Sequence, residues 1–485
     1  MRHCSPVGTG GAGSGWRCRH LYSGTERPDA TIRKGRPTTL TSTRAADRAQ
    51  TTVAIRRPDD GRILVLADGT LPTFEAVAAE PWQDVRSIGG AMRDALGMQV
   101  DTLRAAWVSE TADARLYEAA WIAGDVSRAS EWVSQEDLAN RVAGSPALVA
   151  AIAGGALEPA SGELQPWYVP GWLDGMIEWI DGRLADRGLH RRGSVRQIRS
   201  WGRSALLQAD TDRGLVWAKQ VPLRFAHEVS VTGLLADLDP GLVPPILAAD
   251  RGAGRLLLAH VEGPLLSAVT DEVVWTATLA RLAETQRVLS VERDRLSVAG
   301  VAAAPLSTLA AEVPALLADD ELSRVGQPGG LSPAVAALLR TRTAAIADAC
   351  DALAATGIPD SLDHGDLSAL QVIIGEMGPV VFDWSDASIT HPFLSLAAFL
   401  DGRADASPRR ADLERAYAGP WAGAADVPTI SSASRLATIV MPIHLARVYR
   451  DRVLPGLEQR WELDRVVPAA LRSLAGVLAV DQLAR

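Results

Sequence analysis

The sequence predicts an α+β protein in which a small β-rich lobe precedes a large helical lobe, with a further small α+β domain in front of both. Short apolar segments between residues 195 and 260 are typical of β-strands. From Asp271 onward the apolar residues recur with helical spacing, apart from the stretch Leu362–Asp386. A separate succession of strand and helix patterns occupies residues 51–153.

The first fifty residues differ in composition from the rest of the chain. They carry nine basic and three acidic residues, are rich in Gly, Ser, Thr and Pro, and have no apolar period. This composition predicts a disordered basic tail over residues 1–50. Because the whole chain has a formal net charge of −9, the remainder is acidic. We therefore expect no nucleic-acid partner, since nucleic-acid-binding proteins present a basic face.

Residues 51–153 predict the small α+β domain. Its patterns are, in order, strands at Thr51–Arg56 and Arg62–Leu66 around a Pro-Asp-Asp-Gly turn, a helix over Trp82–Leu96, strands at Leu103–Val108 and Leu116–Ile122, and a helix capped by Ser134. This order resembles a Nudix domain. When Gly97 is aligned with the last glycine of the Nudix motif, Asp94 is present but Ala95, Ala91 and Gly90 occupy the other key positions, so that most metal-binding carboxylates are missing. The resemblance implies a degenerate Nudix-like domain without hydrolase chemistry, dispensable for the chemistry of the rest of the chain.

A Gly- and Pro-punctuated segment over residues 154–171 predicts a linker. The small lobe, predicted over residues 172–263, opens with an amphipathic helix that begins at Trp172. Its other patterns are strands at Val195–Ile198, Ala205–Ala209, Leu215–Val221 and Arg255–His260, with a helix over Phe225–Leu238. Residues 264–485 form the predicted large lobe.

Lysine usage singles out one position in the small lobe. The chain has 49 lysines and arginines, yet only Lys34 and Lys219 are lysine. Lys219 therefore indicates a place that needs a compact ammonium rather than a planar guanidinium. Glu228 follows nine residues later, in the next predicted helix. A Lys–Glu pair by itself is usually a surface ion pair of little energetic weight.

The strongest local pattern lies in the large lobe. It reads Asp363-His364-Gly365-Asp366-Leu367-Ser368-Ala369-Leu370-Gln371 and is followed by two apolar strands that end in Phe382-Asp383-Trp384. A strand hairpin with its turn at Gly375–Gly378 brings Asp366 and Asp383 to one rim. Two carboxylates placed in this way suit divalent-metal and base chemistry.

This pattern resembles the aminoglycoside phosphotransferase family, whose members have a protein-kinase-like fold. The resemblance covers about residues 172–485. It implies that Asp366 is the base that orients the acceptor hydroxyl, that Asp383 binds Mg²⁺, and that His364 organises the loop. Gln371 would be a second metal ligand. It stands where most relatives have Asn, but it offers the same carbonyl oxygen on a longer stem.

The strand Val216-Trp217-Ala218-Lys219 resembles the Val-Ala-Ile-Lys strand of kinase-like folds. The resemblance implies that Lys219 contacts the α- and β-phosphates of a nucleoside triphosphate and is held by Glu228. It further implies cofactor contacts from Ser204, in the phosphate-covering loop, and from the backbone of His260 and Val261 beside the adenine. That loop has one glycine instead of a glycine-rich motif.

Two further features belong to the large lobe. Ser395 replaces the helix-capping Asp that the family carries near this point. His444, Arg447, Tyr449 and Arg450, and then Trp461-Glu462-Leu463, could line an acceptor pocket, although a place in the core or on the surface is the simpler interpretation for each.

Cysteines and apolar runs bear on the location of the protein. Cys4, Cys18 and Cys350 form no metal-type pair, and Cys350 lies in an Ala-rich helix pattern where we expect it to be buried. No apolar run reaches the roughly 18 residues of a membrane span, and no secretory-type apolar segment is present. We therefore expect a cytoplasmic protein with no zinc site and no membrane partner.

Together these features predict a phosphotransferase that uses ATP or GTP and Mg²⁺. Its partners would be the nucleoside triphosphate and a small-molecule acceptor with a hydroxyl group, of the aminoglycoside, sugar or amino alcohol class. Two alternatives stay open. Gln371 and the poor glycine loop favour a catalytically impaired pseudokinase or nucleotide-binding regulatory module, and the N-terminal domain leaves open a Nudix hydrolase.

Overall fold

The computed structural model of the chain describes residues 48–77, 80–125, 130–158, 164–401 and 410–483. Over these residues the chain is mixed α+β, with several sheets and many helices, as the sequence predicts. Most of the predicted tail, including Cys4 and Cys18, lies outside the described residues. Within them, no helix is long and apolar enough to cross a membrane.

The N-terminal domain, defined here as residues 48–158, is a six-stranded mixed sheet. Its strands are β1 (Arg48–Arg56), β2 (Ile63–Leu66), β3 (Thr73–Val77), β4 (Gln99–Val108), β5 (Ala114–Ala123) and β6 (Ser130–Val133). Its helices are α1 (Arg86–Leu96), α2 (Gln135–Arg141) and α3 (Pro146–Ala153). Strand β1 pairs parallel with β5 and antiparallel with β2 and β3. Helix α1 packs on one face of the sheet, and α2 and α3 pack on the other.

Local signals end α1 and begin α2 where the sequence predicts, but α1 begins at Arg86 rather than at Trp82, because residues 82–83 form a turn. The Ser134 hydroxyl accepts a hydrogen bond from the Asp137 amide at 3.1 Å and caps α2. Gly97 has φ +66° and ends α1 in the left-handed conformation that glycine adopts without strain. The end of α1 therefore favours glycine at residue 97 whether or not a hydrolase motif is present. The Nudix-like nature of the domain stays a prediction.

The small lobe contains a five-stranded antiparallel sheet between two helices. Its elements are α4 (Trp172–Ala185), β7 (Arg191–Trp201), β8 (Ser204–Thr211), β9 (Gly214–Gln220), α5 (His227–Leu238), β10 (Ile246–Asp250) and β11 (Arg255–Ala259). The strand order is β10-β11-β9-β8-β7. Side chains alternate between the faces, so that Ala218 packs with α4 whereas Trp217 packs with α5. By the same alternation Lys219 lies on the α5 side.

The large lobe is mainly helical. Its helices are α6 (Glu272–Val291), α7 (Arg293–Val298), α8 (Leu306–Ala318), α9 (Pro333–Thr341), α10 (Thr343–Ala354), α11 (Phe393–Asp401), α12 (Arg410–Ala418), α13 (Val427–Val448) and α14 (Val466–Leu483). Its strands are β12 (Ala302–Ala303), β13 (Ser361–Asp363), β14 (Val372–Gly375), β15 (Gly378–Val381) and β16 (Ser388–Thr390). The hairpin β14–β15 is the strand–turn–strand that the sequence predicts. Cys350 is fully buried in α10, as expected.

The segment that connects the two lobes packs against this hairpin. Ile374 donates its amide to the Pro264 carbonyl at 2.8 Å. Gly263 has φ +146°, and a Cβ at this position would lie 2.0 Å from the Ile374 carbonyl oxygen. The interlobe segment can approach the hairpin so closely only because residue 263 is glycine.

The N-terminal domain and the two lobes are in contact. Hydrophobic residues of the N-terminal sheet and α1 belong to one continuous core with residues of the large lobe. In the described part of the predicted linker, Trp167 is buried and donates its indole N–H to the Trp201 carbonyl at 2.9 Å. The boundaries of the units stay predictions.

A buried carboxyl group lies where the N-terminal domain meets the small lobe. Asp101 of β4 is 2% exposed and accepts a hydrogen bond from the Gln197 amide of β7 at 2.8 Å. Burial raises the pKa of Asp101 to about 7, and the negative charge of Asp174 acts in the same direction. The folded protein therefore binds a proton at Asp101 between about pH 4 and 7 that the unfolded chain releases.

This raised pKa predicts that the free energy of unfolding falls as pH rises from about 4 to 7. Asp101→Asn should remove that component and raise the free energy of unfolding above pH 7 by up to about 4 kcal/mol, at about 1.4 kcal/mol per pKa unit. Denaturant unfolding of both proteins between pH 5 and 8 measures the difference. Asp59→Asn, at an exposed position, is the control. An equal pH slope in wild type and Asp101→Asn would contradict the prediction.

Candidate active site

The lysine singled out by the sequence joins the two lobes. Lys219 Nζ lies 2.6 Å from Glu228 Oε1 of α5 and 2.7 Å from Asp383 Oδ1 of the large lobe. The side chains are 15%, 3% and 24% exposed, so this is not the solvated pair of the simple interpretation. Burial opposes the charge of Lys219, but Asp383 and Glu228 raise its pKa above the usual value. The ammonium therefore stays charged.

Asp383 owes its position to an uncommon backbone conformation. It follows β15 with φ 69° and ψ 57°, in the left-handed region that few non-glycine residues adopt. Such conformations carry a cost of about 1–3 kcal/mol and cluster at functional sites. Here the turn directs the carboxylate toward Lys219 across the cleft.

The loop before β14 is fixed from several sides. His364 is buried, its Nε2 lies 3.1 Å from the Phe382 carbonyl oxygen, and its ring lies 4.6 Å from that of Trp384. Gly365 has φ +82°, and a Cβ there would lie 2.4 Å from the Asp386 carbonyl oxygen. The glycine between His364 and Asp366 is therefore required by close backbone contact.

Ser395 anchors the same loop from α11. Its hydroxyl donates to Asp363 Oδ1 at 2.6 Å and accepts from the His364 amide at 3.2 Å. It also accepts from the Gln286 side chain at 3.1 Å. The Ser395 hydroxyl thus joins α11 to both the His364 backbone and the buried Asp363 carboxylate.

Gln371 lies between the two aspartates of the motif. Its Nε2 lies 3.4 Å from Asp366 Oδ2, and its Oε1 accepts a hydrogen bond from the Ser368 hydroxyl. The Phe382 amide donates to the Gln371 carbonyl at 3.1 Å, which places Gln371 beside the strand end that carries Asp383. Asp383 and Gln371 both carry oxygen donors of the kind that Mg²⁺ prefers, but Gln371 does not line the cavity that contains Asp383. In the described chain no group of three or more His, Cys, Asp or Glu side chains is arranged for a metal.

One small cavity brings four of the predicted site residues together. Lys219, Asp366, Asp383 and Ser204 all line it. The Ser204 hydroxyl accepts a hydrogen bond from the Trp201 indole at 3.0 Å. The turn between β7 and β8 thus lies at the same cavity as the two aspartates, and its role as a phosphate-covering loop stays a prediction.

Arg203 and Asp386 also line this cavity, although the sequence patterns gave neither residue a role in the site. They form an ion pair between the β7–β8 turn and the large lobe. Burial opposes the charge of Asp386, but the Arg203 guanidinium lowers the pKa of that carboxyl. Arg203 also lies over the Phe225 ring, 5.2 Å from its centroid. The sequence signal that could have found Arg203 is its place directly after Gly202, the single glycine of the loop.

Two larger cavities adjoin the small one. The first extends from Lys219 and Glu228 along the α5 side of the sheet, with a mostly apolar lining that includes Leu206, Leu258 and Phe382. The second begins at Asp366 on the large-lobe side. It is lined by Gly365, Leu367, Ser368, Leu370, Ala398, Asp401, Met441, Leu445, Tyr449 and Val466.

The predicted adenine contacts lie at the end of β11. The His260 amide donates to the Leu215 carbonyl at 3.0 Å and is therefore taken up by the sheet. Its ring accepts a hydrogen bond from the Trp217 indole at 3.0 Å. Val261 packs against the β14–β15 hairpin. Contact with a base stays a prediction for the His260 carbonyl and for Val261, and neither residue lines the cavity beside Lys219 in the described chain.

Four of the residues considered for an acceptor pocket, at positions 444–450, have different environments in the structure. Tyr449 lines the cavity beside Asp366. His444 and Arg447 are buried, and the Arg447 guanidinium donates to the Ala304 carbonyl at 3.1 Å. Arg450 pairs with Glu312. The simpler interpretation therefore holds for three of the four.

Comparison with known proteins gives similarity in structure only. No protein-family profile matches the chain, and no curated protein matches its sequence. A macrolide 2'-phosphotransferase type I is similar at 15% identity, covering 62% of this chain and 97% of its own, with a TM-score of 0.43. The GDP complex of aminoglycoside 2'-phosphotransferase-IIIa is similar at 16% identity, covering 63% and 99%, with a TM-score of 0.45. A choline kinase from Streptococcus pneumoniae is similar at 16% identity, covering 62% and 99%, with a TM-score of 0.42.

The pair Arg203–Asp386 predicts a stability effect that depends on both partners. Arg203→Gln or Asp386→Asn alone leaves a buried charge without its counter-ion and should lower the free energy of unfolding by about 3–5 kcal/mol. The double variant should lose clearly less than the sum of the two single losses. Denaturant unfolding of all four proteins measures this coupling. Additive losses would contradict a direct ion pair.

Proposed function

We propose that the chain is a phosphotransferase that moves the γ-phosphoryl group of ATP or GTP to a hydroxyl of a small molecule, with Mg²⁺ as its metal. The observation that carries the proposal is the Lys219 ammonium, which contacts Glu228 and Asp383 beside a cavity that also contains Asp366. A strand lysine, a helix glutamate that holds it and two aspartates across the cleft are the parts that phosphoryl transfer uses in kinase-like folds. The fold proposed for residues 172–485 is accordingly protein-kinase-like.

Each residue has a proposed part in the reaction. Lys219 contacts phosphate oxygens and remains oriented by Glu228. Asp383 and Gln371 would hold Mg²⁺, which supplies neutralisation of the phosphate charge. The Ser204 hydroxyl lies in the turn that would cover the phosphates. Catalysis then consists mostly of positioning and charge neutralisation.

Asp366 is the proposed base. Its carboxylate accepts the proton of the acceptor hydroxyl while the hydroxyl oxygen forms a bond to the γ-phosphorus. The bond from that phosphorus to the bridging oxygen breaks, and the nucleoside diphosphate leaves with the electron pair. The Asp366 carboxyl then carries the proton. Because the cavity on the large-lobe side begins at Asp366, it is the proposed acceptor site.

The acceptor class follows from that cavity only in part. Its walls are mostly apolar, with Asp401 and Tyr449 as further polar groups. Aminoglycosides, sugars and amino alcohols are the proposed classes. A screen of such acceptors with purified protein, labelled ATP and Mg²⁺, tests the function directly. Transfer to none of them, without release of nucleoside diphosphate, would overturn the proposal.

A catalytically impaired nucleotide-binding regulatory module is the second candidate. One observation favours it. The Gln371 side-chain oxygen Oε1 accepts a hydrogen bond from the Ser368 hydroxyl, and the Asp383 carboxylate contacts the Lys219 ammonium. Both proposed metal ligands therefore have protein partners. Nucleotide binding without transfer in the same screen would support this candidate over the first.

Asp366→Asn should lower phosphoryl transfer by about 10²- to 10⁴-fold, since it removes the base but no phosphate contact. The affinity for the nucleotide with Mg²⁺ should stay within about twofold of wild type. Initial rates and equilibrium binding measure the two quantities. Asp351→Asn, at an exposed position of α10, is the matched control. Near wild-type transfer by Asp366→Asn would remove this residue from the mechanism.

Lys219→Arg should lower transfer by roughly tenfold or more, about 1.4 kcal/mol of barrier, while the protein still folds. Guanidinium is wider than ammonium and would displace either Glu228 or the phosphates. Glu228→Gln should give a smaller loss, because the lysine remains but is less firmly held. Initial rates with thermal unfolding curves measure both effects, and Arg213→Lys, in an exposed turn, is the converse control. Full activity of Lys219→Arg would show that only charge is needed.

A further inference from the structure

A single tryptophan of the N-terminal domain lies between the two lobes. The Trp82 ring packs edge-to-face against Trp201 of the small lobe, with ring centroids 5.9 Å apart and planes at 72°. On its other side it packs against Trp461 of the large lobe at 4.1 Å and 76°. Its indole N–H points at the Glu462 carboxylate, with Nε1 2.5 Å from both oxygens. Trp82 is 8% exposed.

Trp201 is part of the turn that covers the candidate active site. It ends β7, and its indole donates to the Ser204 hydroxyl that lines the cavity. Arg203 lies over the same Trp201 ring at 5.8 Å. Trp201 therefore connects Trp82 to the two polar side chains of the turn, Ser204 and Arg203.

The strand that leads into the turn is held by the N-terminal domain as well. The Ser200 amide donates to the Gln83 carbonyl at 3.2 Å, and the Val85 amide donates to the Ile198 carbonyl at 3.1 Å. The Ser200 hydroxyl donates to the Leu103 carbonyl. Strand β7 is an edge strand of the small-lobe sheet, so these bonds satisfy backbone groups that the sheet leaves open.

A second tie reaches the large lobe directly. Arg104 of β4 is 4% exposed and pairs with both Glu118 of its own sheet and Glu458 of the large lobe. Its guanidinium also donates to the Glu158 carbonyl at 2.8 Å. In this region Leu457 faces the turn, since a Cβ on Gly202 would lie 2.8 Å from Leu457 Cδ2. Residues 457–462 thus contact both the turn and the N-terminal domain.

From these contacts we infer that the N-terminal domain positions the phosphate-covering turn over the cleft, and that Trp82 is the positioning residue that links the turn to the large lobe through Trp461 and Glu462. The inference deepens the proposed function and rests on it for the nucleotide that the turn covers. It replaces the expectation that this domain is dispensable for the chemistry. Lifting the turn requires breaking the contacts of Trp82 on at least one side.

The first experiment needs no nucleotide. Hydrogen exchange of the backbone amides of residues 199–206 is measured in the full chain for wild type, Glu462→Ala and Trp82→Phe. Glu462→Ala removes the acceptor of the Trp82 indole N–H and leaves the buried rings in place. Exchange of these amides should rise by on the order of tenfold in Glu462→Ala, with a similar rise in Trp82→Phe, because the turn opens without global unfolding. Glu284→Ala is the matched control, since Glu284 pairs with Arg287 within α6.

The second experiment measures the nucleotide. Glu462→Ala should raise the KM for the nucleotide by about three- to tenfold and change kcat less, because the turn is displaced but Asp366 and Lys219 are not touched. Trp82→Ala should show a larger rise, and Trp132→Ala, whose ring contacts Trp121 within the N-terminal domain, should not. A merely structural role would lower the melting temperature without this split between KM and kcat.

The outcomes separate this inference from the proposed function. Exchange rates in residues 199–206 that stay within twofold of wild type in both Glu462→Ala and Trp82→Phe would overturn the positioning role, whatever the enzyme does. Faster exchange with no nucleotide binding by wild type would keep the positioning role and sink the proposed function. Faster exchange with an unchanged KM would show that the turn is held but that nucleotide binding does not depend on it, which also overturns the inference.

Discussion

The site depends on one ammonium group shared by carboxylates from two lobes. A buried charge is costly unless it is paired, and a buried pair is broken only at a cost of several kcal/mol. Lys219 therefore fixes the distance between α5, which carries Glu228, and the end of β15, which carries Asp383. The charged site is complete only where the lobes meet, because Lys219 and Glu228 belong to the small lobe and Asp383 belongs to the large lobe.

Two further contacts between charged or polar side chains join the lobes across the cleft. Arg203 of the small lobe pairs with Asp386, and Arg452 of the large lobe has its guanidinium 3.2 Å from His227 Nε2 at the start of α5. The side chains that would meet a phosphate are therefore already engaged with protein partners. Under the proposed function, a triphosphate with its metal brings charges of both signs, so that its binding would exchange these partners rather than fill a neutral space.

The sequence was most informative where a residue type answers to a local demand. Lys219, the His364-Gly365-Asp366 run and the Ser134 cap each reflect a contact or conformation within a short stretch. Lys219 contacts Glu228, Gly365 has a positive φ, and Ser134 caps α2. Partners distant in sequence were not predictable. Asp386 follows Asp383 by three residues, but its pairing with Arg203 depends on how the lobes meet. Likewise, the residue pattern around Gly97 says nothing about Trp82 and its contacts with the lobes.

The distribution of arginine explains why the chain retains a lysine at all. Arg104 serves Glu118, Glu458 and a backbone carbonyl at once, which uses the several donors of a planar fork. A fork of this kind suits an interface where the partners are spread and fixed. At residue 219 the two carboxylates converge on a single nitrogen at 2.6 and 2.7 Å. A proposed phosphate ligand must approach that same nitrogen, and a compact group on a flexible stem admits a third partner with the least displacement of the other two. Arg104 therefore serves contacts that stay fixed, whereas the proposed role of Lys219 requires that a partner be exchanged.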